Sequence, residues 1–218
     1  KLQMATYLNT DLDNIKDFFD EAVKNRTEGL MIKSLDSVYE PGRRSESWEK
    51  LKKDYVKGLG TENESSLSDT VDVVVVGANN GKGKRAGHYG CYLTAVWNED
   101  IGKFQTLCEV GTGFKDQDFI DFHEAMQPNV VSKAPIEVQY GDNKPDVFIK
   151  PFIVWEIAVA DLTLSPTSMC CKGDVKGNPN SGISLRFARF LRVRDDKEVL
   201  QCTNTHQIYD MYYSQPNI

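Results

Sequence analysis

Histidine is scarce in this chain, with His88, His123 and His206 the only three among 218 residues. No H-E-x-x-H brings two of them together on a helix, which argues against metalloprotease chemistry. Cysteine is also sparse. Cys91, Cys108, Cys170, Cys171 and Cys202 are odd in number and include an adjacent pair but no C-x-x-C. That pattern predicts neither a disulfide framework nor a zinc site, and it favours a reducing compartment. No apolar run approaches the ~18 residues of a membrane span, and the polar start LQMATYLNTD lacks the character of a signal peptide. No membrane partner is expected. Positive charge is in overall deficit, 26 Lys and Arg against 32 Asp and Glu, for a formal net charge of −6. Indiscriminate coating of nucleic acid is therefore not expected, although cations gathered in patches can still bind it locally. No internal repeat is visible.

What is present suffices for a core. The hydrophobic content is 40%, and the length allows one large domain or two small ones. Thr10 can cap a helix whose apolar residues Leu12, Ile15, Phe19 and Ala22 recur at helical spacing, with Asp13 placed to complete a capping box and an end near Asn25. EGLMIK (28–33) and WEKLKKDY (48–55) read as strands joined by the Pro-Gly turn of YEPGRRSES. Residues 58–70, GLGTENESSLSDT, are rich in Gly, Ser and Glu and poor in packing groups, which predicts a joint between domains 1–60 and 61–218. VDVVVVGA (71–78), HYGCYLTAVW (88–97) and KFQTLCEV (103–110) then read as a three-strand meander. A helix from near Lys115 carries Phe119, Phe122 and Met126 on one stripe, and PFIVWEIAVA (151–160) and LRFARFLRVR follow as strands. The predicted class is mostly β with some α: a five-stranded Greek-key barrel of the oligonucleotide-binding (OB) type after a smaller α/β block. The long connections 128–150 and 161–184 are unusual for such a barrel unless they hold further structure. IEVQY (136–140) is a candidate extra strand, and a helix over Thr205–Ser214 closes the chain.

Several stretches carry chemistry. In SLRFARFLRVRDDK (184–197), strand alternation turns Leu185, Phe187, Leu191 and Val193 one way and Arg186, Arg192 and Arg194 the other, so a cationic face backs an apolar one. Such a face either pairs with scattered carboxylates or receives an anion. Lys50 and Lys52 share a strand face ~7 Å apart, placed for adjacent phosphates or simply for a solvated edge. Glu28 shares a face with Leu30 and Ile32, where its carboxylate needs an ion pair or a divalent metal such as Mg²⁺. GANNGKGKRAGHYG (77–90) contains G-x-G-x-x-A but leads into a strand, so no helix N-terminus awaits a pyrophosphate. Its Lys82, Lys84 and Arg85 form a basic loop suited to phosphate-backbone contact, or a solvated turn.

In order along the chain, EGLMIK, WEKLKKDY, DVVVVGANNGKGKRAGHYG, CEVGTGF, VWEIAVADLTLSP and GISLRFARFLRVRDDK resemble the C-terminal catalytic portion of eukaryotic ATP-dependent DNA ligases. The resemblance thins only over the last twenty or so residues. It implies the end of a nucleotidyltransferase (adenylation) domain followed by an OB domain, the two closing as a clamp. It assigns Glu28 to metal binding and Lys50 and Lys52 to the nucleotide phosphates. It places R-x-D-K on Arg194, Asp196 and Lys197, a lid that orients the ATP β,γ-phosphates. It also implies DNA contacts by Lys82, Lys84, Arg85, Arg186 and Phe187, the last beside a nick in the minor groove, whereas alternation turns Phe187 toward the core. A bulge could reconcile the two.

The family's nucleophilic lysine lies in K-x-D-G, and the sequence has no such tetrapeptide. The chain is therefore expected to be a fragment, inactive alone, of a monomeric nuclear enzyme that uses ATP and Mg²⁺ to seal nicked duplex DNA. Two alternatives stand beside this one: a non-catalytic OB module that binds nucleic acid, and a related RNA-capping or RNA ligase nucleotidyltransferase.

Overall fold

A helix and a two-stranded ribbon form the first part of the chain. Helix α1 (Leu12–Lys24) buries Phe19, with Ile15, Phe18, Ala22 and Val23 half-buried on the same stripe. Thr27 closes it by donating its hydroxyl to the Ala22 carbonyl at 2.8 Å. Strands β1 (Gly29–Lys33) and β2 (Trp48–Lys52) pair antiparallel, Leu30 opposite Leu51 and Lys33 opposite Trp48. The computed structural model describes residues 6–9, 12–25, 27, 29–43, 45–52 and 70–215. The expected Thr10 cap, Glu28, and all but the last residue of the joint at 58–70 lie outside them. The chain divides into two compact units, Lys1–Glu64 and Ser65–Ile218.

The second unit begins with β3 (Thr70–Asn80), β4 (Tyr89–Asn98) and β5 (Lys103–Val110), the expected meander. Helix α2 (Asp116–Met126) follows, then the short strands β6 (Val130–Val131), β7 (Val138–Gln139) and β8 (Val147–Ile149). Next come β9 (Val154–Ala158), β10 (Asp161–Ser165), β11 (Gly182–Arg186), β12 (Arg189–Val193) and helix α3 (Thr205–Tyr213). The main sheet runs β12-β9-β3-β4-β5-β7, and β10 pairs with β11. Only Val159 and Ala160 separate β9 from β10, and only Phe187 and Ala188 separate β11 from β12. Each pair is one bent strand. Counted so, five strands make the barrel, and it closes where Ser184 Oγ donates to the Leu107 carbonyl at 2.9 Å and the Phe190 N–H to Thr112 at 2.9 Å.

The valine run of β3 has a physical reason. Val71, Val73 and Val75 enter one core with Trp155, Ile157, Met126 and Ile208. Val74 and Val76 point the other way into a second core with Leu93, Phe104, Val138 and Cys202. A strand buried on both faces needs no polar side. Each such burial is worth roughly 1.5 kcal/mol or more.

Two expectations are corrected. The strand at 151–160 shrinks to Val154–Ala158. The two long connections do hold further structure: β6, β7 and β8 occupy the first, with the candidate strand IEVQY present as the short β7 parallel to β5, and β10 opens the second. The arginine-rich segment is not one regular strand, and its irregularities shape the site.

Candidate functional site

Uninterrupted alternation would bury Phe187 and Leu191. Instead they are 43% and 47% exposed, while Ala188 and Phe190 are buried. Two features cause the inversion. Phe187 has a left-handed backbone, φ 56°, which costs a non-glycine residue about 1 kcal/mol. A bulge then shifts register between Phe190 and Arg192, restoring the phase at Val193. The residues after β5 hold the kink in place. Thr112 Oγ1 donates to the Ala188 carbonyl at 3.0 Å, and Phe114 stacks on Phe190 with centroids 4.9 Å apart. Gly113, φ 94°, passes so close to the Phe190 backbone that no Cβ fits there. The Arg186 guanidinium lies 4.9 Å over the Phe187 ring.

The same segment organises the basic loop between β3 and β4. Arg85 Nη1 donates to the carbonyls of Gly90 at 3.0 Å and Gly111 at 3.1 Å, and the guanidinium sits 4.2 Å over the Phe119 ring. Arg85 therefore shapes the loop as well as charging it, while Lys82 and Lys84 are exposed. Through Gly111 and Thr112 the loop and the Phe187 kink are bonded to consecutive residues. This ties Arg85 and the kink after Phe187 to one short segment; Lys82 and Lys84 flank Arg85 in its loop, and Arg186 precedes Phe187.

The end of β12 carries a denser arrangement. Strand register sets Asp72 of β3, Glu156 of β9 and Arg192 of β12 in one row. Arg192 Nε donates to Glu156 at 2.6 Å. Arg194 Nη1 reaches both Asp72 oxygens at 2.9 Å, while its Nε and Nη2 hold Asp196 at 2.8 and 2.7 Å. Lys197 Nζ donates to Asp72 at 2.6 Å. Asp72 and Arg194 are mostly withdrawn from solvent, with side chains 12% and 15% exposed. The hydrogen bonds from Arg194 hold the Asp196 carboxyl well below the usual carboxylate range, and Asp196 with Asp72 raises the guanidinium in turn. A hydrogen bond from Thr70, then the Arg192 guanidinium, lowers Glu156. The R-x-D-K residues thus lie together around Asp72, which sequence reasoning missed. Its one signal is that it is the sole charge within VDVVVV.

In the first unit, β-pairing sets Lys50 opposite Met31 and Lys52 opposite Gly29. The Lys50 side chain is exposed; that of Lys52 lies outside the description. On the ribbon face that holds Lys50, Lys33 Nζ sits 4.3 Å over the Trp48 ring, and Trp48 lies 5.6 Å from Tyr39. Lys33 is a cation that the sequence reading did not single out. No cluster of three or more His, Cys, Asp or Glu able to hold a metal ion occurs among the described residues, and Glu28 lies outside them.

Comparison with known proteins identifies the family. The family described as ATP dependent DNA ligase C terminal region matches residues 85–197, and the ATP dependent DNA ligase domain matches residues 1–52. DNA ligase 1 of Dictyostelium discoideum is 42% identical over 215 residues, covering 97% of this chain and 17% of that protein. DNA ligase 1 of Saccharomyces cerevisiae is 39% identical over the whole chain and 28% of its own length, and the DNA ligase of Sulfophobococcus zilligii 40% identical over 97% and 34%. Among solved structures, the ligase domain from M. tuberculosis LigD aligns with TM-score 0.49 at 24% identity, over 85% of this chain and 50% of that one. The chain spans about a sixth to a third of the length of these curated relatives. With residues 1–52 and 85–197 matched by two successive segments of that family, the chain belongs to the ATP-dependent DNA ligase family.

Proposed function

We propose that this chain is the C-terminal catalytic region of a ligase that seals nicks in duplex DNA. Residues 1–60 would end an adenylation domain, and residues 61–218 would form an OB domain that closes over it. The observation that carries the reading is the convergence of Arg194 and Lys197 at the end of one barrel strand. A rigid planar fork of donors on Arg194 with the compact Lys197 ammonium beside it suits the β,γ-phosphates of ATP better than a diffuse basic surface does.

In the complete enzyme, AMP passes from ATP to a lysine, then to the 5′-phosphate of a nick, and the 3′-hydroxyl displaces it. This chemistry rests on positioning and charge stabilisation more than on proton transfer. Arg194 and Lys197 would orient the departing pyrophosphate, Asp196 would hold the Arg194 fork, and Lys50 and Lys52 would bind the nucleotide phosphates. Lys82, Lys84, Arg85 and Arg186 would meet the DNA backbone, with Phe187 at the minor groove near the nick. Mg²⁺ would arrive with the nucleotide and neutralise phosphate charge, with Glu28 as its protein ligand. Met31, Ile32, Leu35, Val38, Tyr39 and Trp48 are all exposed in the first unit, which supports its being part of a larger domain. A nuclear site of action is proposed from the eukaryotic relatives. Among the described residues no helix is long and apolar enough to cross a membrane.

The test uses the full-length protein that contains this chain. Arg194→Ala should reduce formation of the covalent enzyme–AMP band from labelled ATP by about a hundredfold or more, the scale of losing one charge-stabilising donor. Sealing of a pre-adenylated nick should remain near wild type. Equal loss of both steps would remove the lid assignment, and absence of any enzyme–AMP band in the wild type would remove the ligase reading.

A further inference from the structure

As it stands, the charge row at the end of β12 is neutral. Arg192, Arg194 and Lys197 face Glu156, Asp72 and Asp196, one carboxylate for each cation. A neutral cluster exerts little net pull on a polyphosphate, so a carboxylate must let go before the cations can serve one. The three carboxylates are not equally able to do so. Asp196 stands two residues from Arg194, occupies Nε and Nη2, and moves with it on the same loop. Glu156 accepts a hydrogen bond from Arg192 and from neither of the other two cations.

Asp72 differs from both. It projects from β3 between Val71 and Val73, each fully buried, so its backbone cannot follow a moving loop. It takes Arg194 Nη1 with both oxygens and Lys197 Nζ with one, at 2.6 to 2.9 Å. A non-bridging phosphate oxygen accepts from the same donors at the same distances.

We propose that Asp72 is a built-in phosphate surrogate that holds Arg194 Nη1 and the Lys197 ammonium in readiness and yields both to an incoming polyphosphate. It is a positioning residue, acting through the two cations and touching no substrate itself. While occupied by Asp72, two long side chains are kept extended side by side rather than dispersed among rotamers. When polyphosphate arrives, it must displace an internal anion. Occupancy by Asp72 thus weakens binding while preserving geometry. The inference rests on the reading of Arg194 and Lys197 as polyphosphate-facing groups.

Inorganic tripolyphosphate is the probe, titrated into the 218-residue chain by calorimetry at fixed ionic strength. Asp72→Asn keeps the shape and withdraws the charge, and should tighten tripolyphosphate binding about tenfold. Adding Lys197→Ala to Asp72→Asn should abolish most of that gain. A purely structural Asp72 would instead leave affinity unchanged or reduce it along with the melting temperature, and either result overturns the proposal. If Asp72→Asn does not fold, carboxyl-carbon NMR of the wild-type chain decides. The Asp72 signal should shift on saturation with tripolyphosphate, and an unmoved signal overturns the proposal. If wild-type binding is equal to that of an Arg194→Ala, Lys197→Ala double variant, the reading of those cations fails and takes the inference with it. Binding that needs both cations but ignores Asp72 sinks the surrogate alone.

Discussion

Arg194 and Asp196 stand two residues apart and meet through two hydrogen bonds, yet the Asp196 side chain is 54% exposed. Exposure normally leaves a carboxylate near its solution behaviour; here the guanidinium fork lowers it well below that range. A carboxylate depressed in the folded state contributes its stability in full above the unfolded value of about 4, and loses it as pH falls through the lower folded value. Acid titration followed by carboxyl-carbon NMR should therefore find Asp196 still ionised at about pH 3, and Arg194→Ala should return it to about pH 4. Titration alongside exposed aspartates in the wild type would show the fork is not maintained. The thiols give the opposite case. Burial pushes Cys108 up to about 11 and Cys202 up to about 12. Because the thiolate is the reactive form, iodoacetamide at about pH 8 should leave both unmodified in the native chain and label both in denaturant. Rapid native labelling, read by mass spectrometry, would contradict their burial.

At the scale of elements, the kink between β11 and β12 decides which side chains leave the barrel. Asn tolerates the left-handed backbone that a β-branched residue resists. Phe187→Asn should therefore keep the melting temperature within about 2 °C, while Phe187→Val should lower it by about 2–4 °C. Both should weaken nicked-DNA binding by the full-length protein if the ring reaches the groove; retained affinity in Phe187→Asn would place the DNA contact elsewhere. This kink also marks where the sequence stopped being legible. The helices at 116–126 and 205–213, the ribbon and the meander could be read because the propensities of their own residues and the turn signals around them mark each one. LRFARFLRVR could not. It changes phase at Phe187 and again at Leu191, and the first change is held from outside the strand by Thr112, Gly113 and Phe114. Likewise, R-x-D-K disclosed the cations, but Asp72, 122 residues from Arg194, reaches them only because β9 pairs with both β3 and β12. Local spacing carries no record of that contact.

At the scale of the whole molecule, the two units differ in how much of their stability they contain. Both cores and the Asp72 network lie within residues 70–215, and Gln215 ties the tail back by exchanging hydrogen bonds with the Leu162 backbone at 3.0 and 3.1 Å. Everything that closes the barrel is thus present in that unit. The first unit offers a helix, a two-stranded ribbon and one buried large side chain among its described residues, Phe19. A lone hairpin is marginal in water, and so small an assembly buries too little to offset its conformational entropy. Residues 65–218 expressed alone should therefore give a dispersed amide spectrum that overlays the same residues in the whole chain, and should unfold in urea in one cooperative step. Residues 1–64 alone should give the collapsed amide dispersion of an unfolded peptide. The reverse pattern, or a 65–218 unit that melts only as part of the longer chain, would mean that the barrel's stability depends on residues outside it and that its two cores are not self-sufficient.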